Sequence, residues 1–178
     1  MSLEPTVAGR AGHDHFVFRA VLAALAHPGR RLDLPAGGGA LDVVHSLYES
    51  ATPLWSLGRW QLPDGSCEVD IAQAQLLLVT GSSSGGAIGD APRGTEEQPE
   101  LGATVLYAVD RDAPDTAVRL SGPGVDGELE TRLALDVEEL AIRSPACAEL
   151  PLGIDCLIVS ADGGLVGLPR TTRVEVAT

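Results

Sequence analysis

The sequence contains no lysine, because all twelve of its basic residues are arginine. It therefore offers no side-chain amine for a Schiff base with pyridoxal phosphate or with a carbonyl substrate. It also lacks the Gly-Lys-Ser/Thr core of a Walker phosphate loop. Both kinds of chemistry are excluded by composition, and a codon bias toward arginine is a sufficient explanation of the absence itself.

Cysteine and positive charge are scarce as well. Cys67, Cys147 and Cys156 are widely spaced and form no C-x-x-C pair, which favours a reducing cytoplasm. The 25 acidic residues give a formal net charge of −13, so we expect no nucleic-acid partner and no attraction to an anionic membrane. The apolar run Leu76–Val79 is too short to span a bilayer, and the first residues show no signal-peptide pattern.

Aromatic residues make up only 3% of the chain, although apolar residues make up 44%. The core must therefore consist of Leu, Val, Ile and Ala, together with a few large side chains. Those expected in it are Phe16, Phe18, Tyr48, Trp55, Trp60 and Tyr107. We expect one domain over residues 1–178, with residues 1–12 as a loosely attached or disordered tail.

Helical and strand patterns alternate along the chain, which predicts the α/β class. Because hairpin and crossover connections both occur, we expect a mixed central sheet with flanking helices. Residues 81–99 are rich in glycine and proline and form the longest predicted loop. Helices are predicted at 14–26, 41–48 and 136–143. Strands are predicted at 31–34, 52–57, 74–80, 102–109, 117–120, 156–160, 165–168 and 171–176.

Two of the helices carry more specific expectations. Asp14 is a candidate N-cap of the first helix, and the apolar residues that recur at three- and four-residue intervals predict a single helical face. Asp136 and Glu139 resemble a capping box at the start of the third helix. The residues of the single face are Phe18, Val21, Leu22 and Leu25.

Three motifs suggest chemistry but lack what that chemistry needs. Gly81–Gly85 matches the G-x-S-x-G nucleophile elbow, yet the glycines and prolines after it prevent the required helix. Gly122, Gly124 and Gly127 match a dinucleotide fingerprint, but nearby acidic residues oppose a pyrophosphate, so a tight turn is favoured. The segment His13–His15 provides no third metal ligand at zinc-like spacing, and helix capping is the simpler role. We therefore predict no catalytic residue and no metal site here.

The most distinctive stretch is Pro151–Val176. Asp155 stands at the start of a predicted strand among apolar residues, and a carboxylate there needs a partner because an unpaired buried charge is costly. Arg170 is the natural partner, since the strands that carry the two residues are close in sequence. We predict a structural ion pair between Asp155 and Arg170.

Four collinear segments resemble the PhnH family, the H subunit of the bacterial carbon–phosphorus lyase system. Pro151–Val176 matches the family pattern P-x-G-I/V-D-L-x-L…P-R-T-T-x-V. The other three segments are Phe18–Gly29, Gly94–Val105 and Leu120–Val125. The sequence departs from the family at Leu150, where phenylalanine is usual, and at Cys156, where leucine is common. The Asn-Arg usually found just upstream is not evident at residues 143–147.

The resemblance implies a fold similar to that of pyridoxal-phosphate-dependent transferases but without the cofactor, which agrees with the missing lysine. It implies a cytoplasmic accessory or structural subunit that acts with G-, I- and J-type subunits and forms a homodimer. In the first step of phosphonate breakdown, which the resemblance implies the chain supports together with G-, I- and L-type subunits, a phosphonate displaces adenine from ribose C1 of ATP and gives ribose 1-methylphosphonate 5-triphosphate. The sequence leaves open a stand-alone, nucleosidase-like hydrolase of nucleotides that uses Asp155 or Glu175 as an acid or base.

A phosphonate or nucleotide bound by the chain itself would need an anion site near the carboxyl-terminal motif. Arginine offers bidentate donors, hydroxyl groups add single bonds, and a glycine turn presents backbone N–H groups. The structural alternative, that these residues only shape the ends of strands, weighs equally. The candidates are Arg170, Thr171, Thr172, Ser121, Gly122, Gly124 and Asp155.

Overall fold

The computed structural model describes residues 7–49 and 51–177. Three α-helices lie within these ranges, and none of the described helices is long and apolar enough to cross a membrane. They are α1 (Val7–Ala26), α2 (Ala40–Leu47) and α3 (Val137–Ala146). The strands are β1 (Leu32–Asp33), β2 (Pro53–Leu57), β3 (Cys67–Glu68), β4 (Leu76–Thr80), β5 (Thr104–Val109), β6 (Thr116–Ser121), β7 (Glu128–Leu133), β8 (Asp155–Ser160), β9 (Gly164–Leu168) and β10 (Arg173–Val176).

Seven strands form a central sheet in the order β1-β9-β8-β5-β4-β2-β3. The strands from β8 to β3 run parallel, whereas β9 and β1 are antiparallel to their neighbours. The predicted mixed sheet is thus confirmed. We call the end where β4, β5 and β8 begin the amino edge (Leu76, Thr104, Asp155), and the end where they stop the carboxyl edge (Thr80, Val109, Ser160).

Side chains on the two faces of this sheet build two cores. Alternate residues of β4 and β8 point to opposite faces, as the period of two in a strand requires. One face packs against α1 and α2 through residues such as Leu78 and Val44. The other packs through Val79 and Ile158 against α3 and a small antiparallel sheet of order β10-β6-β7. The molecule therefore has three layers.

All eight predicted strands are present, and two more were missed. β3 is a two-residue strand at the sheet edge. β7 (Glu128–Leu133) alternates charged and uncharged residues and pairs with β6 in an antiparallel ladder. The alternation is visible in the sequence, although no strand is predicted there. The segment from Gly122 to Gly127 connects these two strands as the predicted turn, and a strand rather than a helix follows it.

Helix α1 differs from its prediction in its start and in its buried face. It begins at Val7, so Asp14 lies inside the helix and is not its N-cap. Residues 7–12 of the expected tail are helical, and residues 1–6 lie outside the described part of the chain. The buried stripe is Val17, Val21 and Ala24, because these residues sit three and four positions apart and face the sheet.

Three apolar residues of α1 that were expected to be buried are exposed instead. Phe18 and Leu22 were predicted on its buried face, and Phe16 and Phe18 were expected in the core. Phe18 is 42% exposed and Leu22 is 51% exposed, whereas Val21 is buried. Phe16 is 61% exposed. Apolar residues occur on more than one side of this helix, so spacing alone could not identify the side that meets the sheet. Tyr107 is the fully buried aromatic of the expected set.

The capping box predicted for α3 is also corrected. Asp136 does occupy the N-cap position, but its side chain makes no capping hydrogen bond. It accepts a hydrogen bond from the Ser82 hydroxyl at 3.1 Å. Glu139 is buried and accepts hydrogen bonds from Tyr107 at 2.7 Å and Ser83 at 3.2 Å. Tertiary partners in the 81–86 segment and in β5 therefore replace the local capping interactions.

Candidate functional site

A cleft of about 290 Å³ lies at the amino edge, between α3 and the segment that joins β9 to β10. It brings together three of the predicted site residues, Arg170, Thr171 and Thr172. Arg143 and Arg173 line it as well, so the cleft is basic although the chain as a whole is acidic. Its size and charge would suit a small anion, and its hydrogen bonds decide whether its donors are free to bind one.

The predicted pair of Asp155 and Arg170 is present and extensive. The Arg170 Nη2 group donates to Asp155 Oδ2 at 2.6 Å, and Nε donates to Oδ2 at 3.1 Å and to Oδ1 at 3.3 Å, so both carboxylate oxygens are engaged. The backbone N–H of Arg170 donates to Asp155 Oδ1 at 2.7 Å. The two side chains are 15% and 20% exposed. A bidentate, charge-assisted pair that is shielded from water in this way is among the stronger polar contacts in proteins.

The remaining side of the Arg170 guanidinium is also occupied by the protein. Its Nη1 group donates to the carbonyl of Pro99, which lies before β5. A Cβ on Gly102 would lie 2.6 Å from Nη1, and one on Gly153 would lie 2.8 Å from the Arg170 Cβ. We call these packed residues the Arg170 centre: Gly102, Gly153, Asp155 and Arg170. Within it, Arg170 holds three loops together.

Arg143 is a site residue that the sequence interpretation missed. Its side chain is 2% exposed, and its guanidinium donates to three backbone carbonyls of the β9–β10 segment. Nη1 donates to Thr172 O at 3.1 Å, and Nη2 donates to Leu168 O at 3.2 Å and Pro169 O at 2.7 Å. The segment that carries the P-R-T-T motif is thus held from both sides, by Arg143 and by the Arg170 centre.

Some polar atoms beside the cleft have no partner. Within the described residues, the buried Arg143 Nε donates no hydrogen bond, and the buried Thr172 Oγ1 neither donates nor accepts one. Cys156 lies close by, and burial raises the pKa of its thiol to about 12, an effect that the charge of Arg143 partly opposes. Burial likewise raises the pKa of Tyr107 well above its usual value. Both of these groups therefore stay protonated at neutral pH, and the Cys156 thiol is not a nucleophilic thiolate.

The predicted glycine turn lies beside the cleft but packs against backbone. Ser121 pairs with Arg173 across β6 and β10. Gly122 has φ +119°, and a Cβ on it would lie 2.6 Å from Thr171 O. Gly124 has φ +85° and adjoins the end of α1 at Ala26 O instead. Ser121 and Gly122 therefore adjoin residues that line the cleft, whereas Gly124 lies at the end of α1, and none of the three lines the cleft itself.

The histidine segment in α1 has a structural contact. His13 Nε2 lies 3.2 Å from Asp42 Oδ1, which links α1 to α2. No group of three or more His, Cys, Asp or Glu residues suited to a metal ion occurs in the part of the chain that the structure describes. The capping role considered for this segment is wrong, because it lies inside the helix.

The sequence matches a known protein family over almost the whole described chain. The family model described as bacterial phosphonate metabolism protein (PhnH) matches residues 7–175. A "Putative C-P lyase subunit protein HtxG" from Stutzerimonas stutzeri is 32% identical over 176 residues, which cover 94% of this chain and 88% of that protein. The match spans all three layers and both edges of the central sheet.

Proposed function

The chain belongs to the PhnH family of bacterial phosphonate metabolism proteins, and we propose that it is an accessory subunit of a carbon–phosphorus lyase system. The similarity to a protein named as a putative C-P lyase subunit supports this assignment. In the finer form of the proposal, the subunit supports the transfer of a phosphonate to ribose C1 of ATP with loss of adenine. It acts in the cytoplasm, without a cofactor of its own.

The observation that carries the accessory role is the engagement of the motif side chains. Asp155 accepts hydrogen bonds from the backbone and the guanidinium of Arg170, and Arg170 also reaches Pro99. A carboxylate held in this way is a poor general acid or base, because proton transfer requires breaking the ion pair. This disfavours the alternative hydrolase that would use Asp155.

Exposed apolar residues on α1 support a role in assembly. Phe18 and Leu22 lie one helical turn apart, are 42% and 51% exposed, and both fall in the family-like segment at 18–29. Adjacent exposed apolar side chains are typical of protein–protein contact sites. We propose that this part of α1 contacts a second copy of the chain or a G-, I- or J-type subunit.

The test compares the chain alone with the chain co-expressed with its G-, I- and J-type partners. Both preparations receive ATP and methylphosphonate, and adenine release is measured. We expect a stable complex with the G-, I- and J-type partners, adenine release when an L-type subunit is present as well, and no adenine release by the isolated chain. Turnover of nucleotide by the isolated chain would contradict the accessory role. A Phe18→Asp, Leu22→Asp variant is expected to lose assembly, whereas Phe16→Asp, on another side of α1, is the matched control.

A further inference from the structure

A second cavity of about 480 Å³ lies at the carboxyl edge, at the opposite end of the strands from the Arg170 centre. Its volume is within the range of about 300–1,000 Å³ found for small-molecule sites. It is formed by the segment after β2, the ends of β4, β5 and β8, and the start of α2. The polar and aromatic residues that line it are Arg59, Trp60, Gln61, Thr80, Asp110 and Ser160.

The position of this cavity is the usual ligand position in an open α/β sheet. The chain places β3 on one side of β2 and then continues with β4 and β5 on the other side. Ligands of such sheets bind outside the carboxyl ends of parallel strands, near the point where the strand order reverses. The cavity adjoins the ends of those parallel strands, and the Arg170 centre does not.

The polar groups around the cavity are not used to hold the fold. Among the described residues, no side-chain hydrogen bond or ion pair within the protein involves Arg59, Gln61 or Asp110, and the same is true of the Thr80 and Ser160 hydroxyls. In the Arg170 centre, by contrast, each charged group has a protein partner. Five polar side chains from four chain segments therefore remain available to a ligand.

The types of side chain indicate what the ligand carries. The Trp60 indole N–H donates to Leu57 O at 3.3 Å, and part of the ring packs against the core on the side of α1 and α2. The remaining apolar surface of the ring, rather than its polar atom, lines the cavity. An aromatic ring of this kind stacks on a nucleobase. Arg59 offers paired donors suited to phosphate. Asp110 accepts hydrogen bonds from hydroxyl or amino groups.

We propose that the carboxyl-edge cavity binds a nucleotide, with the base against Trp60, the phosphates at Arg59 and a ribose or base donor at Asp110. An adjoining depression of about 600 Å³ shares Asp110 and Ser160 with the cavity. Two arginines and three aspartates line it, so it adds room beside the cavity but no net positive charge. ATP is chosen as the probe because the proposed function names it as a substrate, and in this respect the inference rests on the proposed function.

The experiment measures binding of ATP to the full chain by calorimetry, with adenosine and inorganic phosphate as partial ligands. Arg59→Gln and Asp110→Asn test the cavity, and Arg173→Gln, in the amino-edge cleft, is the matched control. We expect ATP to bind more tightly than either partial ligand. Each cavity variant should weaken ATP binding about tenfold, as the loss of one charge-assisted hydrogen bond would do, and the control should not.

Three outcomes would overturn the inference. They are no ATP binding, binding of phosphate as tight as that of ATP, and ATP binding that is lost in the Arg173 variant but kept in the Arg59 and Asp110 variants. None of them affects the proposed subunit role, which is measured by complex formation and adenine release. Failure of complex formation with intact ATP binding would in turn leave the nucleotide site standing.

Discussion

The two edges of the central sheet use their polar residues in opposite ways. At the amino edge, Asp155, Arg170 and Arg143 are bonded to the protein and are mostly shielded from water. At the carboxyl edge, Arg59 and Asp110 line a cavity and bond to no other described side chain. The comparison indicates that the family-like carboxyl-terminal motif maintains the fold, whereas the end without a recognised motif is available for ligands.

Replacing Arg143 should have the largest effect, because it tests whether the amino edge is structural. In Arg143→Met three carbonyls of the β9–β10 segment lose their buried donor. We expect the free energy of unfolding to fall by about 3–5 kcal/mol in urea denaturation, because each buried carbonyl left without a donor costs about 1–3 kcal/mol. Arg173→Met, in the same cleft but exposed, should change it by less than about 0.5 kcal/mol. Equal effects of the two substitutions would show that the buried Arg143 stabilises the amino edge no more than the exposed Arg173 does.

Alkaline pH should weaken the fold through the groups buried beside the motif. Burial raises the pKa of Cys156 from 9.0 to about 12. Between these values the unfolded chain loses the proton and the folded chain keeps it, so the free energy of unfolding falls by a few kcal/mol as pH rises. Unfolding curves measured at several pH values should show a smaller fall in Cys156→Ala than in Cys67→Ala, where the thiol is exposed. An equal fall in the free energy of unfolding in both variants would contradict the assignment of this pH dependence to Cys156.

A single methyl group at Gly102 should disturb the Arg170 centre. Gly102 has an ordinary φ of −67°, so backbone strain is not at issue. A Cβ there would lie 2.5 Å from Gly153 O and 2.6 Å from Arg170 Nη1. We expect Gly102→Ala to cost about 1–3 kcal/mol in urea denaturation. Gly89→Ala, where a Cβ meets only Ile142 at 3.5 Å, should be close to neutral.

Substitutions at the carboxyl edge should have the smallest effect on stability. Arg59→Gln and Asp110→Asn remove no bond to another described side chain, so each should change the free energy of unfolding by less than about 0.5 kcal/mol. Thermal unfolding without nucleotide measures this. A loss of 2 kcal/mol or more, roughly the upper range for a charged hydrogen bond, would mean that these groups also hold the fold.

The contact between Asp155 and Arg170 could be predicted from the sequence, whereas the role of Arg143 could not. A lone carboxylate at the start of an apolar strand demands a cation, and the next strands supply one. The partners of Arg143 are backbone carbonyls, which leave no trace in residue identity. One sequence signal was available, because the spacing of Glu139, Arg143 and Ala146 places them on one side of α3. All three are buried, so two charged residues lie on the core-facing side of this helix.

Three other features were predicted wrongly or not at all, namely the buried face of α1, strand β7 and the carboxyl-edge cavity. Phe18 and Leu22 have helical spacing, but spacing does not say which side of α1 meets the sheet. β7 is absent from the predicted strands because half of its residues are charged, although the alternation of charged and uncharged residues is typical of a half-exposed strand. The carboxyl-edge cavity was not predicted, since Arg59, Asp110 and Ser160 are far apart in sequence and meet only through the strand order.

The most direct test of the structural role of the motif is a double-mutant cycle on Asp155→Asn and Arg170→Gln, measured by urea denaturation. The cycle isolates the energy that the two side chains share. A bidentate pair shielded from water, at 2.6 Å and 3.1 Å, predicts a coupling of about 1.5–3 kcal/mol. A coupling near zero would show that the pair does not stabilise the fold and would contradict the account of the amino edge.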